Sequence, residues 1–212
     1  FRMARDGKEA QRDHQVLRAL NPAFHNLAEW FQHLPLKRGA SPLALAPTYD
    51  DMLYELASHG DYDDFWAKNP AASMEEHIDS YADVPVFLLT SWYGHHVWAT
   101  TTKFVELRKR LKSPVHMVIG TWLHGYETLL DTWSGEVDFG IEAILDNIQD
   151  LRLKWFDHHL KGMHTDVLDR PSIDMFVMGG GDGRRDLEGH MCHGGYWRTE
   201  HDWPVPCTRF TN

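Results

Sequence analysis

Two short, mostly apolar runs organise the middle of this 212-residue chain, at 86–92 and 116–122. Strands that are buried on both faces of a parallel sheet need such runs, whereas half-exposed strands alternate in polarity. Between the runs, apolar residues recur at helical spacing and predict a helix over 97–111; they are Phe104, Leu107 and Leu111. The pattern therefore predicts a βαβ unit with two parallel strands.

Helix-like patterns precede this unit. Segment 48–58 places its apolar residues on one face and is followed by Gly60, a residue type that often ends helices. Residues 73–76 have the order of a capping box, so a further helix should begin there. Pro22 and Pro35 are predicted to interrupt the earlier helix-like segments, because proline lacks the N–H that a helix interior needs.

The patterns after the βαβ unit predict one long helix and then strands. Apolar residues of 139–161 recur every three or four positions, which predicts a helix ended by Gly162. Beyond Pro171, residues 173–177 alternate as a strand would, and a glycine-rich turn follows at 179–183.

His124 follows the second apolar run and is the best candidate for a functional residue. Loops at the carboxyl ends of parallel strands carry the chemistry of α/β enzymes, and a histidine there can act as a general base near neutral pH. Trp92, Tyr93 and Trp122 lie at the two strand ends. They are expected either to line a substrate pocket or to wedge a helical region against the sheet.

These strand ends belong to a series of motifs that resembles one family. The chain is similar to the X-prolyl dipeptidyl-peptidase and cocaine-esterase-like (CocE/NonD) serine hydrolases of the α/β-hydrolase superfamily, over roughly residues 45–208. The motifs are Tyr62-Asp63-Asp64-Phe65-Trp66, Val84-Pro85-Val86, Ser91-Trp92-Tyr93-Gly94, Ile119-Gly120-Thr121-Trp122-Leu123-His124-Gly125, Trp155-Phe156-Asp157-His158-His159-Leu160-Lys161-Gly162, Phe176-Val177-Met178-Gly179, Trp197-Arg198 and Trp203-Pro204.

The resemblance implies a division of the chain into three parts. Residues 1–80 would form a helical cap, and residues 81–168 would be the carboxyl-terminal part of an α/β-hydrolase sheet. Residues 169–212 would open an all-β domain, which the family builds as a jelly roll. His124 would be the catalytic histidine, and the substrate would be a small ester or amide or a short peptide.

Two departures from the family pattern bear on activity. The family's triad acid follows Trp-Tyr, where this chain has Gly94, and no serine stands in a Gly-x-Ser-x-Gly sequence. Glu127 and Asp131 are the acids that could substitute, whereas Asp83 precedes its strand and should lie at the wrong sheet edge. We therefore expect a fragment that lacks the nucleophile and is itself inactive.

Three functional hypotheses remain at this point. The first is part of a serine hydrolase that cleaves ester, amide or X-prolyl peptide bonds. The second is a non-catalytic homologue that acts as a binding module, which Gly94 favours. The third is a metal-dependent protein using His190, Cys192 and His193, although such tight spacing rarely lets three ligands reach one ion.

The composition excludes some classes of binding partner. The net charge of −10 argues against nucleic-acid binding, because phosphate neutralisation needs clustered Lys and Arg. No apolar run approaches the roughly 18 residues of a membrane span, and a cytoplasmic location is the default.

No cofactor and no metal are expected; the adjacent histidines at 95–96 and 158–159 should point apart, as helical neighbours do. An exposed sheet edge would allow a homo-oligomer.

Overall fold

The computed structural model describes residues 2–69, 73–125 and 129–209. Contacts between residues divide the chain into two compact units, Phe1–Ser73 and Met74–Asn212. In the described residues, no helix has both the length and the apolar character needed to cross a membrane.

The first unit is helical. Its α-helices are α1 (Arg2–Asp6), α2 (Lys8–Arg12), α3 (His14–His25), α4 (Leu27–Trp30), α5 (Pro47–Ser58) and α6 (Asp64–Ala67), with a 3₁₀ helix at Pro42–Leu45. The helix predicted over 48–58 is α5. Pro22 does not end α3, because it lies in the last turn and its carbonyl still accepts the Asn26 N–H. Small and aliphatic side chains form the core of this unit: Ala4, Ala10, Val16, Leu20, Leu43 and Ala46.

The second unit is a mixed α/β structure. Its elements are β1 (Val86–Ser91), α7 (Val97–Arg110), β2 (Val115–Gly120), β3 (Trp133–Ser134), β4 (Val137–Asp138), α8 (Ile148–Lys161), β5 (Ile173–Met178), β6 (Met191–Cys192) and β7 (Gly195–Glu200). Short 3₁₀ helices lie at Glu75–Ser80, Ile141–Ala143 and Asp166–Leu168.

The main sheet confirms the predicted parallel βαβ unit. Its strand order is β1-β2-β5-β7, in which β1, β2 and β5 are parallel and β7 is antiparallel to β5. Val86 lies opposite Val115 and Ser91 opposite Gly120, so β1 and β2 start and end together. A smaller sheet contains β3, β4 and β6.

Helices pack on both faces of this sheet. Met117 and Ile119 of β2 pack with Phe104 and Leu107 of α7 on one face. On the other face, Val118 belongs to a separate cluster that includes the first residue of α8. All six residues of β2 are buried, which explains why its sequence is apolar apart from His116.

The strand at 173–178, which the resemblance places at the opening of an all-β domain, is β5, and it pairs with β2 in the main sheet. The division of the chain at residue 169 stays a prediction. Asp174, the charged residue of this strand, is buried, and its carboxylate lies 2.9 Å from the His116 imidazole. The jelly roll stays a prediction.

Two predicted helices begin later than their patterns indicated. Within the predicted helix 139–161, the structure has a short 3₁₀ helix and then α8, which begins only at Ile148. An α-helix cannot continue through Gly140, because the φ of this residue is 79°. Gly162, with φ 66°, ends α8 as predicted. The hydroxyl of Ser73 bonds to that of Tyr62 at 2.6 Å, and the helix after it begins at Glu75 as a 3₁₀ helix.

Candidate active site

The ends of β1 and β2 are joined, and they bring two loops together. Ser91 and Gly120 are partners in the register, and the backbone N–H of Trp92 donates to Gly120 O at 2.9 Å. The turn after β1 and the loop after β2 therefore leave the same edge of the sheet side by side. This is the edge at which α/β folds place their functional groups.

The turn after β1 is tight and leads directly into α7. The N–H of Gly94 donates to Ser91 O at 3.1 Å, and the N–H of Val97 donates to Gly94 O at 3.1 Å. His96 occupies the N-cap position of α7, and its carbonyl accepts the Thr100 N–H at 2.9 Å. His95 and His96 thus precede the helix.

The loop after β2 is held by packing and by a hydrogen bond. The Trp122 side chain is 5 % exposed and folds back over Gly120, where any Cβ would overlap its ring. The hydroxyl of Ser134 donates to Thr121 O. These contacts fix the start of the loop, while His124 at its tip is exposed.

A cleft of about 320 Å³ lies between these two loops. It is lined by the end of β1 and by both loops; the lining residues are 89–91, Gly94, His96, 122–125 and Leu129. The ring centroid of His124 lies 4.8 Å from that of His95 and 5.4 Å from that of His96, and the His95 and His96 centroids are 3.9 Å apart. The predicted histidine therefore sits among two further imidazoles.

This crowding affects protonation at His96. Desolvation lowers the pKa of His96, and repulsion from protonated His95 and His124 lowers it further. The neutral imidazole, which can accept a proton or bind a metal ion, is the form that this arrangement favours.

The three predicted aromatic residues have different positions. Trp122 lines the cleft. The indole N–H of Trp92 donates to Phe176 O at 2.7 Å, which ties the end of β1 to β5. Tyr93 is 41 % exposed, and its ring lies 5.7 Å from that of Phe139.

A family model described as X-Pro dipeptidyl-peptidase (S15 family) matches residues 3–126, which include both strand ends and His124. The chain belongs to this S15 family. Cocaine esterase from Rhodococcus sp. (strain MB1 Bresler) is 26% identical over 194 residues, covering 89% of this chain and 30% of that protein. The chain thus spans 30% of the length of this relative.

A solved structure shows a similar fold. The crystal structure of an aminopeptidase from the marine sediment archaeon Thaumarchaeota archaeon matches with a TM-score of 0.55 and 19% identity, over 79% of this chain and 26% of that one. A CocE/NonD family hydrolase from Staphylococcus aureus matches with a TM-score of 0.46 and 16% identity, over 80% and 25%. The S15 assignment and the parallel-rich α/β fold agree with the resemblance seen in the sequence.

At the position where the S15 resemblance expects the triad acid, the chain has no carboxylate, and a side chain there would require the Ser91 hydroxyl to move. A Cβ built on Gly94 would lie 2.8 Å from Ser91 Oγ, while the φ of Gly94 is not left-handed. Of the substitutes, Asp131 is half-buried and Glu127 lies outside the described residues. Asp83 accepts the N–H groups of Lys112 and Ser113 before β2 begins, which lowers the pKa of its carboxyl.

The expectation that the adjacent histidines 95 and 96 point apart was wrong, because it assumed a helix. Both residues lie in the turn before α7, where their rings approach each other and His124. The sequence signal that could have revealed them was their position directly after a strand.

The side chains near residue 190 are not arranged as the hypothesis of a metal site at His190, Cys192 and His193 assumed. His190 Nδ1 lies 2.7 Å from Asp186 Oδ2, its ring stacks on Trp133, and Glu188 is nearby. His193 faces Phe139 instead, with ring centroids 6.4 Å apart.

Proposed function

We propose that this chain carries the histidine-bearing part of a serine hydrolase that cleaves ester, amide or X-prolyl peptide bonds. The observation behind the proposal is that His124 lies at the carboxyl end of β2, beside the cleft formed with the turn after β1. Membership of the S15 family supports hydrolysis as the reaction class.

In this proposal His124 is the general base and then the general acid. Its exposed imidazole would take the proton of a serine hydroxyl as that oxygen attacks the substrate carbonyl, and would return the proton to the leaving group. The nucleophile would come from outside these 212 residues, since no serine among them stands in a Gly-x-Ser-x-Gly sequence. The 212-residue chain alone would then be inactive.

Trp122 would form an apolar wall of the substrate site. Its side chain lines the cleft, and Leu89 and Leu129 add further apolar surface. Small-molecule sites are mostly apolar with a few polar groups that set orientation. A small ester, an amide or a short peptide suits such a cleft.

The second candidate function is a non-catalytic homologue that binds such molecules without cleaving them. Gly94 favours it, because loss of the triad acid costs on the order of 10⁴-fold in rate. The two functions differ in whether His124 matters for turnover.

The test is hydrolysis of p-nitrophenyl acetate and of a prolyl amide by the complete gene product. We expect His124→Ala to lower kcat/KM by about 10²–10⁴-fold, whereas the matched control His164→Ala, on an exposed loop residue, should leave it unchanged. Equal rates in wild type and His124→Ala would refute the catalytic proposal. Binding of the prolyl amide without any turnover would support the second function.

A further inference from the structure

Three imidazoles from two separate loops converge beside the cleft. His95 and His96 come from the turn after β1, and His124 comes from the loop after β2. The hydrogen bond from the Trp92 N–H to Gly120 O holds these loops in place next to each other. The convergence therefore follows from the sheet register as well as from sequence adjacency.

The distances suit a shared ligand. Each histidine offers one ring nitrogen such that the three nitrogens all lie within 4.8 Å of one another. Zinc–nitrogen bonds of about 2.0–2.1 Å in a tetrahedral site require nitrogens roughly 3.4 Å apart. A closure of up to about 1.4 Å is within reach of side-chain rotation, and all three side chains are exposed.

The chemistry of the group selects the type of ion. Imidazole nitrogen is a ligand for Zn²⁺, Cu²⁺, Ni²⁺ and Co²⁺, whereas Mg²⁺ and Ca²⁺ prefer carboxylate and carbonyl oxygen. Three neutral imidazoles leave a fourth coordination position for water or for an anion. The open cleft beside His96 and His124 gives that position access to solvent.

We propose that His95, His96 and His124 bind a divalent transition-metal ion such as Zn²⁺, and that the bound ion inhibits hydrolysis by occupying His124. The inhibition rests on the proposed function, whereas metal binding does not. A ring nitrogen that coordinates the ion cannot accept the proton of a nucleophile, so the two uses of His124 exclude each other. Metal availability would then regulate the enzyme.

Metal binding is tested on the complete gene product by titrating Zn²⁺ against a chromophoric chelator, with Co²⁺ absorption as a report on coordination. We expect wild type to bind one more ion per chain than a variant with all three histidines replaced by Gln; Asp186, Glu188 and His190 form a second group that could hold an ion in both. His95→Gln, His96→Gln and His124→Gln should each weaken binding by about 100-fold or more, since even an outer-shell partner contributes roughly 10–100-fold.

The adjacent pair His158 and His159 on α8 provides the matched control. His158→Gln should leave the Zn²⁺ affinity unchanged. Wild-type affinity no greater than that of the triple Gln variant, or an equal loss in the His158→Gln control, would overturn the site. Because the three ligands are exposed, circular dichroism of each variant should match wild type.

Inhibition is tested on the complete gene product with p-nitrophenyl acetate. Zn²⁺ should lower the rate of wild type at the concentration that fills the site, and His95→Gln/His96→Gln should require about 100-fold more Zn²⁺ for the same fractional loss. Zn²⁺ that binds but leaves the rate unchanged, or raises it, would overturn the inhibition. Absence of any metal-free hydrolysis would refute the proposed function and leave the binding result to decide the site.

Discussion

His116 Nε2 lies 2.9 Å from Asp174 Oδ2, and both side chains are buried in the sheet between β2 and β5. This pair is chemically the histidine–acid contact of a triad, but its place in the fold excludes that role. His116 is the second residue of β2, about 13 Å of strand before Gly120, where the functional edge begins. Its neighbours are the rings of Phe87 and Trp155, so the pair joins two strands and their packing helix.

Asp174→Ala should therefore destabilise the second unit by about 3–5 kcal/mol, because it leaves His116 buried without its partner. Asp174 also pairs with Arg170, which adds to the loss. The measurement is the free energy of unfolding from urea titration. Asp79→Ala is the control: Asp79 is 85% exposed and pairs with Arg110, so its loss should cost less than about 1 kcal/mol. Equal effects of the two substitutions would contradict a structural role for the buried pair.

The sequence predicted β1, α7 and β2 because their patterns are local and unmixed. The pairing of β5 with β2 was not predicted, because alternation identifies a strand but not the strand with which it pairs. A buried carboxylate is recognisable only when its partner is known, and His116 is 58 residues away in sequence. The periodicity of apolar residues does not reveal polar pairs between residues that are far apart in sequence.

The candidate site shows the same limit. His124 could be placed from its position after an apolar run, because parallel strands end at one sheet edge. His95 and His96 precede the helix that was predicted over 97–111, and treating them as helical neighbours was the error. The approach of their rings to His124 depends on the conformation of the turn after β1, which apolar periodicity does not describe. Whether Gly94 has room for a side chain depends on the Ser91 hydroxyl, which a sequence motif does not describe.

Trp92 should prove to be a structural residue. Its indole N–H donates to Phe176 O at 2.7 Å, and its ring lies 6.2 Å from that of Trp203. Trp92→Phe should cost about 1–3 kcal/mol, because it leaves a carbonyl without its donor. Trp98→Phe, at a position 71% exposed, should be nearly neutral in the same unfolding titration. A stable Trp92→Phe variant with a raised KM would indicate a substrate contact instead.

The pH dependence of stability should report on His159. Burial lowers the pKa of His159, and repulsion from protonated His158 lowers it further; its Nε2 is buried without a hydrogen-bond partner in the described structure. The unfolded state then binds more protons than the folded state. Stability should accordingly fall as the pH drops below about 6.5, the ordinary histidine pKa, towards the lower folded pKa.

His159→Phe removes this titration while keeping an aromatic ring against Trp155, whose ring centroid lies 4.4 Å from that of His159. Urea titrations at about pH 8 and pH 5.5 should show a smaller difference in unfolding free energy for the variant than for wild type. His164→Phe, on an exposed loop residue, serves as the control and should keep the wild-type difference. A larger acid sensitivity in His159→Phe would reverse the assigned direction of the shift.

Ser91 and Gly94 should act as a coupled pair. The family's triad acid follows Trp-Tyr, where this chain has Gly94, and a Cβ at position 94 would lie 2.8 Å from Ser91 Oγ. Gly94→Asp alone should therefore strain the turn by about 1–3 kcal/mol, as overpacking does. Ser91→Gly/Gly94→Asp removes the opposing hydroxyl and should recover part of that loss.

The double variant should also gain activity if His124 is the general base. A carboxylate beside His124 would orient the imidazole and stabilise its charged form, which contributes on the order of 10²–10⁴-fold. The measurement is kcat/KM of the complete gene product on p-nitrophenyl acetate for wild type, both single variants and the double variant, with stability followed in parallel. Ser91→Gly alone should show no gain, since it adds no carboxylate. The double variant could fold as stably as Ser91→Gly and still react at the wild-type rate. That result would contradict the hypothesis that His124 belongs to a catalytic triad whose acid is missing.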